Sequence, residues 1–366
     1  VFTRSDACRH ESTYAGASAR QDVRLILPEA AGECFMLGSS LSKGRSDPTI
    51  SEGKIDPGSP LYRFLQELPG LSARRGSLSL QRLSPKTCVF LCRPDSGPPS
   101  LVCKFFAVRP GLPADEACSL MRYELMCLKR LRLEGFNGPP TQVVRPLGSH
   151  AEMGCVLVEE FVMGEDLDHA IAAAVHRGDD QCLVSRLHLA AAFFAELHER
   201  HQVRRRIPSY RYCQEFRRMV TALSRAEEIP ESDLDRLSPL VRRWEAGAEK
   251  WDAESTLLHG DATPTNFLFP EEDVIVGIDL ERMRLGDPML DLGFLTADLK
   301  HHFAFRAQCA QGAEPFIHEF LEFYRRRRGL SKADFASCLD RHRFFMALGE
   351  LRIARDPSLH PGHRRW

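Results

Sequence analysis

Between residues 77 and 106 the apolar positions fall in short runs of strand length. Leu78 and Leu80 alternate with polar neighbours, and 87–92 and 101–106 are nearly continuous apolar stretches. Such runs, bounded by turn residues, predict three strands at 77–83, 87–92 and 101–106. The turn-rich segment 93–99 joins the last two as a hairpin with a long loop. The spacing then lengthens. Leu120, Tyr123, Leu125, Leu128 and Leu131 keep a mostly helical interval and predict a helix over 115–133. A strand is expected around 143–144, and a stronger one at 155–161.

Beyond residue 180 the pattern is mainly helical. Leu187, Ala190, Ala191, Phe194 and Leu197 form one buried face of a helix over 183–200. Further helices are expected at 211–223, 234–251, 289–302, 315–328 and 332–354. Short strands at 257–258, 267–269 and 274–278 interrupt them. The order is a small strand-rich lobe followed by a larger helical one. Residues 1–60 fit neither. Five Gly, six Ser and three Pro fall within 31–60, a turn and linker composition. The expected organisation is an irregular, partly disordered N-terminal extension (1–60), an N-lobe (61–161) and a C-lobe (162–366).

Composition narrows the class. Of 366 residues, 43% are hydrophobic and 27% charged, which excludes a wholly disordered or fibrous chain. Lys plus Arg is 49 against 50 for Asp plus Glu, a net charge of -1. That sum excludes a uniformly basic coat, and the sequence holds no recognised nucleic-acid motif. No apolar run approaches the roughly 18 residues of a membrane span, and residues 1–20 lack the apolar core of a signal peptide. The 12 cysteines include no CxxC pair, and many sit among apolar neighbours. They read as reduced, buried thiols of a cytoplasmic protein.

The chemistry concentrates in 257–293. Here stand His259-Gly260-Asp261, then Asn266 five residues after the Asp, then Ile278-Asp279 at the end of a strand, then Asp291. Phosphoryl transfer from ATP needs one carboxylate to orient the acceptor hydroxyl and receive its proton. It also needs oxygen ligands to hold magnesium on the phosphates. Asp followed by Asn at that interval, with a second Asp beyond the next strand, meets this need.

On these motifs the chain, from Leu71 to Trp366, resembles the aminoglycoside phosphotransferase and choline kinase family, relatives of protein kinases. The resemblance implies an α+β, bilobal, protein-kinase-like fold: a small antiparallel-sheet N-lobe and a larger, mainly helical C-lobe. It implies an ATP- and Mg2+-dependent kinase acting on a small-molecule hydroxyl. By motif position Asp261 is the base, Asn266 and Asp279 are the metal ligands, and His259 and Asp291 support the loop. Lys104, on the third strand, is the expected phosphate-binding lysine. Its expected ion-pair partner is Glu124 on the following helix, with Glu116 as the fallback. Backbone groups from Glu160 to Val162 are expected to meet the adenine. One departure stands out: the turn that should cover the phosphates, 83–87, has no Gly, leaving Ser84 and Thr87 as its phosphate-binding groups. That turn, with the N-terminal extension, keeps an inactive kinase-like scaffold as an alternative. A protein kinase is disfavoured by Gly260 in place of Arg and by the lack of an Ala-Pro-Glu motif.

Charge is segregated within the small total. Residues 251–300 sum to -8, whereas 200–220 and 321–366 each sum to +6. In the family, helices in the two basic regions border the acceptor. Arg204, Arg205 and Arg206 are therefore candidate acceptor-binding residues, and their sign suits an anionic sugar or metabolite rather than a polycation.

Overall fold

The structure is a computed structural model. It describes residues 50, 52–69, 76–83, 88–95, 97–98, 101–109, 111–206, 209–226, 229–248, 254–356, 359 and 361–364. All belong to one compact unit, Ser40–Trp366. The expectation of an irregular segment over residues 1–49 lies outside the described residues.

The first part is a six-stranded sheet. Its members are β1 (Gly53–Lys54), β2 (Leu78–Arg82), β3 (Val89–Pro94), β4 (Leu101–Phe105), β6 (Pro146–His150) and β7 (Val156–Glu160). They run in the order β1-β2-β3-β4-β7-β6, every neighbouring pair antiparallel. Helix α1 (Pro60–Glu67) starts on a Ser59 cap, whose hydroxyl accepts from the Tyr62 amide. Residues 53–55, expected in the extension, belong to this sheet: β1 pairs with β2, and Ile55 is buried against it. A two-residue strand carries too little pattern to be read from sequence.

Because side chains alternate along a strand, the sheet has two distinct faces. Phe90, Cys92, Leu101, Cys103, Phe105, Val156 and Val158 join Leu65 of α1 and Leu68 at its C-terminal cap in a small core. Lys104, Leu157 and Glu159 point the other way. That second face is covered by α2 (Ala114–Leu133), which buries Ala117, Leu120, Met121, Glu124, Cys127, Leu128 and Leu131. The 3–4 spacing of these positions sets Glu124 among leucines on the buried stripe.

The second part is mainly helical. It begins with β5 (Thr141–Val143), β8 (Glu165–Asp166), α3 (Leu167–Arg177), α4 (Asp180–Arg200), β9 (Val203–Arg206), α5 (Ser209–Arg225) and α6 (Glu231–Ala248). It continues with β10 (Glu254–Leu258), β11 (Phe267–Glu271), β12 (Val274–Gly277), β13 (Arg284–Gly286), α7 (Met289–Ala307), α8 (Glu314–Arg327), α9 (Lys332–Arg355) and α10 (Pro361–Arg364). Two small sheets, β13-β10-β9 and β5-β12-β11-β8, carry the loops of interest. Helix α7 is buried along most of its length and packs against α9. Around it Phe193, Phe194, Phe267, Phe320, Tyr324, Phe344 and Phe345 form one aromatic core. No helix among the described residues is long and apolar enough to cross a membrane.

The cysteines differ from expectation at one pair. Cys118 on α2 and Cys155, just before β7, form a disulfide with Cα atoms 5.2 Å apart. They come together because α2 crosses the sheet beside β7, a proximity invisible along the sequence. Cys88, Cys92, Cys103, Cys127, Cys182, Cys213, Cys309 and Cys338 are free thiols.

Candidate active site

Lys104 is almost fully buried, so its ammonium needs partners. It has three. Glu124 Oε1 lies at 2.7 Å, Glu159 Oε1 at 3.3 Å and Asp279 Oδ1 at 3.4 Å. Glu124 Oε1 also accepts from the Leu280 amide at 3.1 Å, tying α2 to the segment after β12. Glu116, the fallback partner, is exposed on the first turn of α2. Burial works against the Lys104 charge, but the three carboxylates outweigh it and hold the ammonium well above its usual range. Burial pushes Glu124 up to about 7 and raises Glu159, each against the pull of Lys104. Asp279 goes the other way: burial raises it, but Lys104, Arg109 and Arg282 together hold it low.

Asp279 sits at φ 63° and ψ 58°, the left-handed region, where the chain turns out of β12 into the 3-10 turn Leu280–Arg282. Asp tolerates that conformation better than most residues. Two residues on, Glu281 pairs with Arg109 Nη1 at 2.6 Å. Burial first, then the Asp279 charge, pushes Glu281 up to about 7. Glu124, Asp279 and Glu281 offer carboxylate oxygens all within 4.8 Å of one another. Glu124 Oε2 is buried and has no hydrogen-bond partner among the described residues. An all-oxygen donor set with surplus negative charge and an unsatisfied carboxylate oxygen fits a hard divalent cation such as magnesium.

The loop from β10 to β11 holds the other candidates. Asp291, fully buried at the start of α7, accepts from the His259 amide at 2.8 Å and the Gly260 amide at 3.0 Å. His198 Nε2 lies 3.2 Å from Asp291 Oδ2, and its Nδ1 meets the Tyr324 hydroxyl at 3.0 Å. Burial raises the Asp291 carboxyl, but His198 and the loop amides hold it below its usual range. The His259 ring donates Nε2–H to the Ile278 carbonyl at 3.1 Å. Gly260 has φ +82°, and a Cβ there would collide with the Arg282 carbonyl, so this position needs Gly. The loop is thus fixed at His259 and Gly260, just before Asp261. Asn266 Nδ2 donates to the Asp261 carbonyl at 2.9 Å, and the Asn266 carbonyl accepts from Ile278 at 3.0 Å. Among the described residues no hydrogen bond to Asn266 Oδ1 is present. Asp261 Oδ1 is met by Arg352 Nη1 at 2.9 Å and Arg282 Nη1 at 3.8 Å.

Other expected residues are placed unequally. Glu160 ends β7, and its carboxylate holds Arg145 at 3.2 Å. Val162 lies in the irregular link from β7 to β8. Ser84 and Thr87 lie outside the described residues, as do the side chains of Arg204, Arg205 and Arg206. Sequence reading missed Glu159, Glu281, Arg109, Asp298 and Arg352. Two carried a signal: Glu159 is a carboxylate inside an apolar strand, on the Lys104 face by alternation, and Glu281 follows Asp279 by two. The others depend on contacts between distant elements.

Residues 90–331 match the phosphotransferase enzyme family. The chain belongs to that family. None of the curated protein sequences compared with this phosphotransferase is similar to it. Among solved structures it is similar to APH(2'')-IIa in its streptomycin–ATP ternary complex, at 13% identity and TM-score 0.51, covering 84% of this chain and 94% of that one. It is also similar to an aminoglycoside phosphotransferase from Alicyclobacillus acidocaldarius, at 16% identity and TM-score 0.50, covering 78% and 85%. A third is an ethanolamine kinase from Plasmodium vivax, at 12% identity and TM-score 0.51, covering 80% and 78%. These likenesses show the kinase-like fold expected from the sequence.

Proposed function

We propose that this phosphotransferase moves the γ-phosphoryl group of ATP to a hydroxyl of a small molecule, with magnesium. The observation that carries the reading is the meeting of Lys104, Glu124 and Asp279 beside a loop that Asp291 pins at its base. In this reading Lys104 holds the nucleotide phosphates, and Glu124 fixes its direction. Backbone groups from Glu160 to Val162 receive the adenine, and Ser84 and Thr87 lie over the phosphates. Asn266 and Asp279 would hold magnesium, with Glu281, whose carboxylate lies within 4.8 Å of that of Asp279, as a further oxygen ligand; the metal would neutralise phosphate charge. Asp261 orients the hydroxyl and accepts its proton as the new P–O bond forms and the bond from the γ-phosphorus to the bridging oxygen of the departing ADP breaks. Catalysis then rests on positioning and on fixed charge. Arg204, Arg205 and Arg206 border the acceptor, whose charge is considered below. An ATP-dependent enzyme works where ATP is kept, in the cytoplasm, and that placement sets the Cys118–Cys155 bond in a reducing medium.

The test is a metabolite panel with ATP and magnesium, read by mass spectrometry for a gain of phosphate. Asp261→Asn should lose at least about 100-fold in transfer, the size of a positioned acid–base group, while still binding the nucleotide. Product formed equally by wild type and Asp261→Asn rejects Asp261 as the base.

A further inference from the structure

One oxygen of the Asp261 carboxylate is already occupied. Arg352, on α9, donates from Nη1 to Asp261 Oδ1 at 2.9 Å and from Nη2 to Asp298 Oδ2 at 2.6 Å. The guanidinium lies over the Phe294 ring, 4.8 Å from its centroid. Its Nε–H is buried and has no hydrogen-bond partner among the described residues. From the other side Arg282 brings Nη1 to 3.8 Å from the same Asp261 oxygen, on a side chain 43% exposed. Two guanidiniums from separate elements therefore converge on the group that must take up an acceptor hydroxyl.

That arrangement selects by charge. An Asp261 oxygen that accepts from Arg352, with Arg282 close by, has less capacity for a hydroxyl. A cationic acceptor would bring its charge against Arg282 and Arg352, and like charges at such range repel strongly when water is excluded. An acceptor carrying its own anionic group does the reverse. Its oxygens satisfy the arginines in place of Asp261 Oδ1, which is then free for the hydroxyl. Asp298 keeps hold of the far edge of Arg352, so the guanidinium turns about an anchor rather than swinging away. The planar fork of Arg matches both carboxylate and phosphate oxygens.

We propose that Arg282 and Arg352 form an anion subsite beside Asp261, so that the acceptor is a hydroxyl compound bearing a carboxylate or phosphate group. The proposal rests on the kinase reading above and adds the chemical class of its acceptor.

Glycerol, glycerate and glycerol phosphate offer comparable hydroxyls with different charge, and choline, ethanolamine and kanamycin are cationic counterparts. With magnesium and ATP, an anionic member should be phosphorylated with kcat/KM at least tenfold above glycerol and above every cation. Preference between glycerate and glycerol phosphate identifies the anion as carboxylate or phosphate. Arg282→Ala, on a partly exposed side chain, should raise the KM for the anion at least tenfold with a smaller change in kcat. Arg352→Lys, which keeps the charge and loses the fork, should also raise KM. Preference for a neutral or cationic acceptor overturns the subsite, as does an anion KM unmoved in both variants. If no member is phosphorylated while magnesium-dependent ATP binding persists, the subsite is rejected and the kinase reading stands. Loss of that binding in the wild type rejects the kinase reading itself.

Discussion

One ammonium surrounded by three carboxylates cannot balance them all, and the imbalance ranks Glu124 and Glu159. Glu124 holds Lys104 at 2.7 Å and also receives the Leu280 amide, so its loss leaves a buried ammonium and a buried N–H short of partners. Glu159 adds a second buried negative charge at 3.3 Å. Removing one member of a buried pair costs about 3–5 kcal/mol, whereas a surplus charge gains little. Glu124→Leu, which removes the acceptor, should therefore destabilise by about 3 kcal/mol and Glu159→Leu by less than about 1 kcal/mol, measured by urea unfolding. Equal losses would reject the ranking. A second expectation concerns His342, buried against the Thr296 hydroxyl at 2.9 Å. Burial lowers its pKa from 6.5 to about 4. The unfolded chain takes up this proton below pH 6.5 and the folded chain only near 4, so stability falls as pH drops through that window. The loss is about 2 kcal/mol at pH 5. Burial raises Asp298 to about 6 and acts oppositely, so the comparison is wild type against His342→Gln. The variant should lose about 2 kcal/mol less between pH 7 and pH 5, and parallel pH profiles would reject the assignment. At this scale the sequence was most legible where spacing is local. Asp261, Asn266 and Asp279 are connected through one loop and two short strands, and their motif is written within 19 residues. Arg352 and Asp298 are not near Asp261 along the chain, and no pattern within α7 or α9 marks one arginine or one aspartate for that contact.

Among elements, α7 and α9 pack closely at two glycines. A Cβ on Gly293 would lie 2.6 Å from Phe345 Cβ and 2.8 Å from the Met346 nitrogen. One on Gly349 would lie 2.7 Å from the Ala297 methyl. The two glycines let the helices approach, and that approach brings Arg352 on α9 to Asp298 on α7. Ala is worth about 1 kcal/mol over Gly in a helix interior, but overpacking a tight contact costs about 1–3 kcal/mol. Gly293→Ala should therefore destabilise, by up to about 2 kcal/mol in chemical denaturation, and a gain in stability would show that the helices separate freely. Long periodic helices such as α2 and α4 were readable because burial repeats many times along them. Strands β1, β8 and β13 have two or three residues each and exist only through their partners. Helix α3 was passed over although Asp166 caps it and Gly178 ends it in the left-handed conformation, both of them local signals.

For the molecule as a whole, the net charge of -1 conceals a division that the fold makes spatial. The acidic stretch 251–300 supplies Asp261, Asp279, Glu281, Asp291 and Asp298, while the basic C-terminal stretch supplies Arg352. The segregation was legible in the sequence, but the pairing of Arg352 with Asp261 was not, because it depends on how α9 returns to that loop. A surplus of carboxylates around Lys104 should make nucleotide binding conditional on a divalent cation. ATP with magnesium at 100 times its Kd should stabilise the fold by about 2.7 kcal/mol, and ATP without magnesium should give far less. Equal stabilisation in EDTA would remove the metal from the site.

The Cys118–Cys155 bond gives this site a mechanical character. It joins α2 at a point six residues before Glu124 to the chain four residues before Glu159. At 1.5 Å of rise per residue, Glu124 stands about 9 Å along the helix from that joint. Where that bond is formed, it limits how far α2 can slide along β7. A tether that close to Glu124 favours keeping its carboxylate within reach of the Lys104 ammonium, which it meets at 2.7 Å.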